Sequence, residues 1–221
     1  MIIAQELIHP LFAIVVTLLM LACLVVAAVS APWRALLQKP ERQHALFAAW
    51  VSLLLMMQLQ IHWVEGVSLH FLVMMTLVVI FGWSLAILIG AGAQLLMLLW
   101  QGGPSWVVGV DFLLATAVPA SASYWILRQI LRHKSNNLFL FLLGGGFFGS
   151  IASLLVSLAV LMAVLALNAQ WETLQALTDS ALMVVLLGYS EGFLNGLLVT
   201  AVTVFFPSIV KSFDEKKYLG S

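Results

Sequence analysis

The nine lysine and arginine residues of this 221-residue chain fall in three tight clusters, and that placement constrains the fold more than any other feature. The clusters are Arg34, Lys39 and Arg42; Arg128, Arg132 and Lys134; and Lys211, Lys216 and Lys217. Long apolar blocks lie before and between them, over 11–31, 45–61, 70–100, 106–127, 138–168 and 181–207. The chain is 63% hydrophobic and 8% charged, whereas soluble domains run near 45–50% apolar and about 25% charged. A membrane-spanning helix needs roughly 20 apolar residues, so residues 1–221 read as a single transmembrane domain in contact with the lipid bilayer. Nine acidic residues balance the nine basic ones, which leaves no electrostatic footprint for nucleic acid. The single cysteine, Cys23, has no partner in the chain for a disulfide.

Charge placement also predicts topology. Short loops rich in Lys and Arg stay in the cytoplasm, so all three clusters belong inside. The first ten residues carry Glu6 and no Lys or Arg and belong outside. Residues 11–31 have no basic segment before them and read as a retained first span rather than a cleaved signal. Two clusters on one side require an even number of spans between them. The 70–100 block is too long for one ordinary span and is interrupted at Phe81-Gly82-Trp83-Ser84. Splitting it there restores even parity and gives an all-α polytopic membrane protein of seven transmembrane helices, N-terminus outside and C-terminus cytoplasmic. Trp33, Trp83 and Trp125 then fall at inner span ends, and Trp63, Trp100, Trp106 and Trp171 at outer ends, as two aromatic belts.

Small residues recur every fourth position at Gly145, Gly149, Ser153 and Ser157, and again at Gly188, Gly192 and Gly196. That spacing lets helix backbones approach closely in lipid. Pro119 is expected to kink the fifth span. Among polar residues, His70 opens the third span, Asp111 lies just inside the fifth, and Glu191 lies ten residues into the seventh. A carboxylate at the bilayer centre costs roughly 2.5–3.5 kcal/mol on insertion scales and is expected to face the bundle with a partner. Asn195, four residues on, shares its helix face. As a neutral, structural group, Glu191 would tolerate replacement by glutamine. His62, Glu65 and His70 gather in one outer stretch, and imidazole with carboxylate suits a transition-metal ion. A lone histidine at a span end is more often interfacial than a ligand, so both readings stand on composition alone.

No Gly-x-x-x-x-Gly-Lys-Ser/Thr loop is present to cradle nucleotide phosphates, and no His-Glu-x-x-His or Gly-x-Ser-x-Gly motif marks a hydrolase. The chain reads as no enzyme, with no intrinsic cofactor. ATP-driven transport would require its ATPase on another subunit.

Several stretches carry a family likeness. Gly66-Val67-Ser68-Leu69-His70-Phe71-Leu72 resembles the Gly-Thr-Ser-Gly-His-Leu-Leu segment of the CbiM/NikM-type membrane subunits of energy-coupling-factor transporters for cobalt and nickel. Glu191-Gly192-Phe193-Leu194-Asn195-Gly196 with Pro207 resembles their Glu-Gly-Leu-Ile-Thr-Gly ending. Ala31-Pro32-Trp33-Arg34, Gln43-His44, Gly109-Val110-Asp111-Phe112, Asn136-Asn137-Leu138-Phe139 and the tail from Ser212 to Leu219 resemble a shorter bacterial branch of these permeases. The resemblance implies a seven-helix bundle in the bacterial inner membrane. It implies a transition-metal ion of the cobalt or nickel class as substrate, with ATP-binding and transmembrane coupling subunits as partners. It carries His70 alone over as a metal ligand; the outer loop offers His62 and Glu65, and the start of the fifth span offers Asp111, as nearby donors to complete the site. Family members begin Met-His-Ile and bind the ion through the terminal amine and that second-position histidine. This chain begins Met1-Ile2-Ile3, which implies that the first ligand set is missing. The alternative is a membrane scaffold of the same fold that has lost its metal site.

The topology is checked by cysteine-accessibility labelling. A cysteine at Glu6 is expected to label from outside the cell and one at Lys216 only from inside, because every basic cluster stays cytoplasmic.

Overall fold

The computed structural model describes residues 1–100, 105–132, 137–214 and 218. Lys134, Lys216 and Lys217 lie outside the described residues, as do His133, Asn136, Glu215 and Leu219. Five helical stretches are long and apolar enough to cross a membrane: Pro10–Ser30, Trp83–Trp100, Val108–Arg132, Leu140–Leu167 and Ala181–Phe205. The first, α1 (Pro10–Ser30), starts where the sequence supplies a cap. Pro10 occupies the opening turn, where a missing N–H costs nothing, and the His9 ring accepts a hydrogen bond from the Leu11 amide at 3.3 Å. A short α2 (Trp33–Leu37) leads into α3 (Pro40–Gln58), again with proline in its first turn.

The next block breaks where the sequence breaks. Helix α4 (Met74–Phe81) has eight residues, all buried, and α5 (Trp83–Trp100) has 18. Between them Gly82 sits at φ +83°, in the left-handed region that favours glycine. Helix α4 starts four residues after His70, because residues 70–73 are not helical. This short buried helix and the amphiphilic α3, which carries Glu41 and Arg42 in its first turn, are not among the five long apolar stretches.

Helix α6 (Val108–Phe112) runs through a π turn, Leu113–Ala117, into α7 (Val118–Arg132). Pro119 is the second residue of α7. Its ring displaces the carbonyl that an α-helix would place beside it, and the wider π turn absorbs the misfit. The Pro119 carbonyl accepts a hydrogen bond from the Ser153 hydroxyl at 2.9 Å, and Ser123 donates to Ser153 at 3.1 Å. A second π stretch, Leu140–Phe148, leads into α8 (Gly149–Leu167). The amphipathic α9 (Trp171–Asp179) precedes α10 (Ala181–Phe205).

The fold is not purely helical. Strands β1 (Ile2–Ile3), β2 (Ile61–Val64) and β3 (Val67–Leu69) form an antiparallel sheet in the order β1-β3-β2. The β-branched residues of Ile2-Ile3 and the Ile-His-Trp-Val run suit a pleated surface. Gly66, at φ +77°, lets β2 turn back into β3.

The two small-residue stripes meet only in part. Gly192 and Gly196 on α10 face Ile151 and Phe147, and Gly146, rather than Gly145 or Gly149, approaches the α10 backbone at Gly196. Gly145 and Gly149 instead face Met75 of α4. A Cβ at Gly192 would lie 2.9 Å from Ile151, whereas at Gly188 the nearest atom is 3.7 Å away. Gly192→Leu is therefore expected to lose about 1–3 kcal/mol through overpacking, and Gly188→Ala little. Thermal unfolding in detergent distinguishes the two.

Candidate metal centre

The sheet register builds the site. Ile2 pairs with Ser68 and Ile3 with Val67, so the antiparallel ladder sets Met1 opposite Leu69 and beside His70. The Met1 nitrogen lies 2.8 Å from His70 Nε2, and both residues are buried. The other ring nitrogen, Nδ1, lies 2.9 Å from the Phe71 carbonyl. A carbonyl only accepts, so Nδ1 carries the proton and Nε2 presents its lone pair to Met1. Burial pushes the Met1 amine down from its ordinary 8.0 to about 5, against the opposing charges of Asp111 and Glu191. The amine is then neutral at pH 7. A neutral amine and an oriented imidazole are the nitrogen donors that late first-row divalent ions prefer.

Asp111 approaches the same strand. Its Oδ1 accepts a hydrogen bond from the Ile3 amide at 2.9 Å, and its backbone carbonyl accepts from Gln94 at 3.1 Å. Asp111 thus buttresses β1 next to Met1. His62 does not join the group. It pairs with Ser68 across β2 and β3, its ring is exposed, and its Nδ1 is 2.8 Å from the Ser68 hydroxyl. Leu69 and Val67 are buried while His62 and Ser68 point away, as strand alternation requires. Glu65 is exposed in the turn. Among the described residues no three His, Cys, Asp or Glu side chains converge as a ligand set.

Glu191 and Asn195 close the floor of the site. Glu191 Oε2 accepts from the Leu72 amide at 3.0 Å, and Oε1 accepts from the Val73 amide at 2.8 Å and from Asn195 Nδ2 at 2.8 Å. Asn195 Oδ1 accepts from both the Thr76 amide, at 3.0 Å, and the Thr76 hydroxyl, at 2.8 Å. The pair on α10 therefore satisfies the amides that lead into α4, where Val73 stands at φ +54° and offers no capping side chain. A β-branched residue in that region is strained, and Glu191 holds it there. The α4 N-terminus in turn favours negative charge.

The glutamine-tolerant Glu191 expected from sequence does not fit this geometry. Every hydrogen bond that Glu191 makes as an acceptor comes from an N–H, and both oxygens are used. The position-1 nitrogen, implied to be lost with the first ligand set, stands against His70, and only the second-position imidazole is absent. The backbone amides of Leu72 and Val73 have no signature in the sequence, because any residue but proline supplies an N–H. The Met1 contact was visible only as a pairing register between two short β-prone segments.

The chain is thus a membrane-embedded helical bundle with buried nitrogen donors at one end. Residues 3–209 match CbiM, the cobalt uptake substrate-specific transmembrane region, and the chain belongs to that family. No curated protein matches the chain.

Replacing Glu191 by glutamine would set an amide nitrogen against the Leu72 N–H. Glu191→Gln and Asn195→Ala are each expected to destabilise the protein by about 1–3 kcal/mol, the cost of a buried polar group left unpaired. Unfolding in detergent measures both.

Proposed function

We propose that the chain is the substrate-capturing membrane subunit of an energy-coupling-factor transporter that takes up a transition-metal ion of the cobalt or nickel class. The observation that carries this reading is the buried 2.8 Å approach of the Met1 nitrogen to His70 Nε2. Two neutral nitrogen donors already face each other there, one of them oriented by the Phe71 carbonyl. An incoming ion would replace the hydrogen bond between them. Asp111, through Ile3, and Glu191, through Leu72 and Val73, hold the two donor-bearing segments. The ion would enter from outside, through a seven-span bundle with its N-terminus out and its C-terminus in the cytoplasm of a bacterial inner membrane. In this reading α3 and the short α4 complete the seven. ATP-binding and transmembrane coupling subunits would supply the work.

One observation favours a second reading, a scaffold of the same fold. Ile2 places an apolar side chain where family members carry the second-position imidazole, and the Met1–His70 hydrogen bond is complete without a metal.

Calorimetry with Co²⁺ and Ni²⁺ on the purified protein separates the two. Under the transport reading, wild type binds, His70→Ala abolishes binding, Asp111→Asn weakens it less, and His62→Ala leaves it unchanged because that ring lies on the far side of the sheet. Equal, weak heats for wild type and His70→Ala would leave the scaffold.

A further inference from the structure

A narrow apolar slot runs along the bundle between α3 and α10, with α4 as its floor. Its volume is about 340 Å³. The α3 wall is built of small residues, Ala45, Ala48, Ala49 and Ser52, and the α10 wall of Leu194 and Leu198. The two walls flank α4 without packing closely on each other. From Ala45 to Met56 the slot follows eleven helical steps, about 16 Å at 1.5 Å per residue. That is about half of a hydrocarbon core roughly 30 Å thick, the depth of one leaflet.

The slot does not end in apolar surface. At Ile80, Phe81 and Ile209 it adjoins a second, smaller cavity of about 90 Å³, lined also by Arg42 and Lys211. Arg42 Nε is buried there without a hydrogen-bond partner. Lys211 is exposed, and its side chain lies over Gly82 at the α4–α5 junction. Neither side chain has an ion-pair partner among the described residues. Arg34 in α2 and Lys39 just before α3 lie in the same stretch as Arg42, with Glu41 as its one acidic residue. The described chain beyond Lys211 adds Asp214. The balance at this end is positive.

We propose that this slot holds one anionic phospholipid, an acyl chain lying against Ala48, Ala49 and Leu77 and the phosphate meeting Arg42 and Lys211. The size selects a chain over a protein helix. Counting all the empty space out to its opening, about 950 Å³, and spreading it over about 16 Å leaves a cross-section of roughly 60 Å², whereas a helix about 10 Å across needs roughly 80 Å². The charge selects the headgroup, because basic pockets between helices at the cytoplasmic side bind acidic lipid phosphates. The Arg42 Nε–H, otherwise without an acceptor, donates a hydrogen bond to such a phosphate.

Native mass spectrometry of the full chain, delipidated and reloaded in detergent, tests this. The probes are phosphatidylglycerol, phosphatidylcholine with the same acyl chains, and inorganic phosphate. Wild type is expected to retain phosphatidylglycerol about thirtyfold better than phosphatidylcholine, the weight of two surface cations. Arg42→Gln/Lys211→Gln is expected to erase that preference and keep the weak binding of both lipids. Ala49→Phe is expected to reduce both, and millimolar phosphate to leave lipid retention unchanged. Lys211→Gln alone alters only an exposed side chain and keeps the test decisive should the other variants fail to fold. Equal retention of the two lipids by wild type would overturn the proposal, as would undiminished preference in Lys211→Gln and the double variant. Displacement by inorganic phosphate would reassign the basic end to a free anion. Crosslinking from Ala49→Cys to another polypeptide in native membranes, with no lipid retained, would give the slot to a partner helix.

Discussion

Helix α4 is eight residues long, about 12 Å, and it is buried where no water can satisfy its ends. An α-helix leaves four amides unpaired at its start and four carbonyls at its finish, and in an eight-residue helix these make up half of its backbone polar groups. In an apolar medium each unmet group is expensive. The rest of the structure answers that constraint. Glu191 and Asn195 reach from α10 to the Leu72, Val73 and Thr76 amides. At the other end the chain after α10 turns back, so that the Lys211 amide donates to the Ile80 carbonyl at 2.9 Å and the Ser212 hydroxyl to the Val79 carbonyl at 2.7 Å. One helix and its tail thus cap both ends of another.

That arrangement explains the irregular segment on which the candidate metal centre depends. Residues 70–73 leave β3 and enter α4 through a left-handed Val73. The Leu72 and Val73 amides point at Glu191, so the carbonyls of the same peptide groups are turned elsewhere, and the Phe71 carbonyl fixes the His70 ring. The imidazole presents Nε2 to the strand because the next two peptide groups are committed to a carboxylate. Asp111 does the matching task for β1 by taking the Ile3 amide. Two carboxylates therefore position two nitrogen donors without touching the gap between them, which is the usual division between ligands and the groups that orient them.

Much of this was legible in the chain itself. The basic clusters bound the helical stretches, Gly82 marks the break, and the spacing of Glu191 and Asn195 puts both on one buried face. What escaped is what composition does not encode. The sheet rests on two- to four-residue strands too short for alternation to register. The partners of Glu191 are backbone amides, which have no residue identity. His62 and His70 look equivalent in sequence, but in the sheet and its exit they end up on opposite sides. Gly146 takes the close approach assigned to Gly145 and Gly149 because the π stretch over Leu140–Phe148 shifts the facing residue from the four-residue spacing of a regular helix.

The break at Gly82 has one more structural consequence. A continuous helix over 70–100 would bring its own amides and carbonyls into register and would need neither Glu191 nor Ser212. It would also bury no free N–H beside His70 and leave no recess beneath α3. By ending the helix at Phe81 and starting it only at Met74, the chain creates polar backbone groups at two depths of an apolar bundle. Irregular backbone is tolerated at such depth only where protein encloses it. The strand segment and the 207–212 turn provide that enclosure, one at each end. The candidate metal centre lies at the first end and the basic lipid pocket at the second, so both sites stand where the broken helix concentrates unsatisfied polarity.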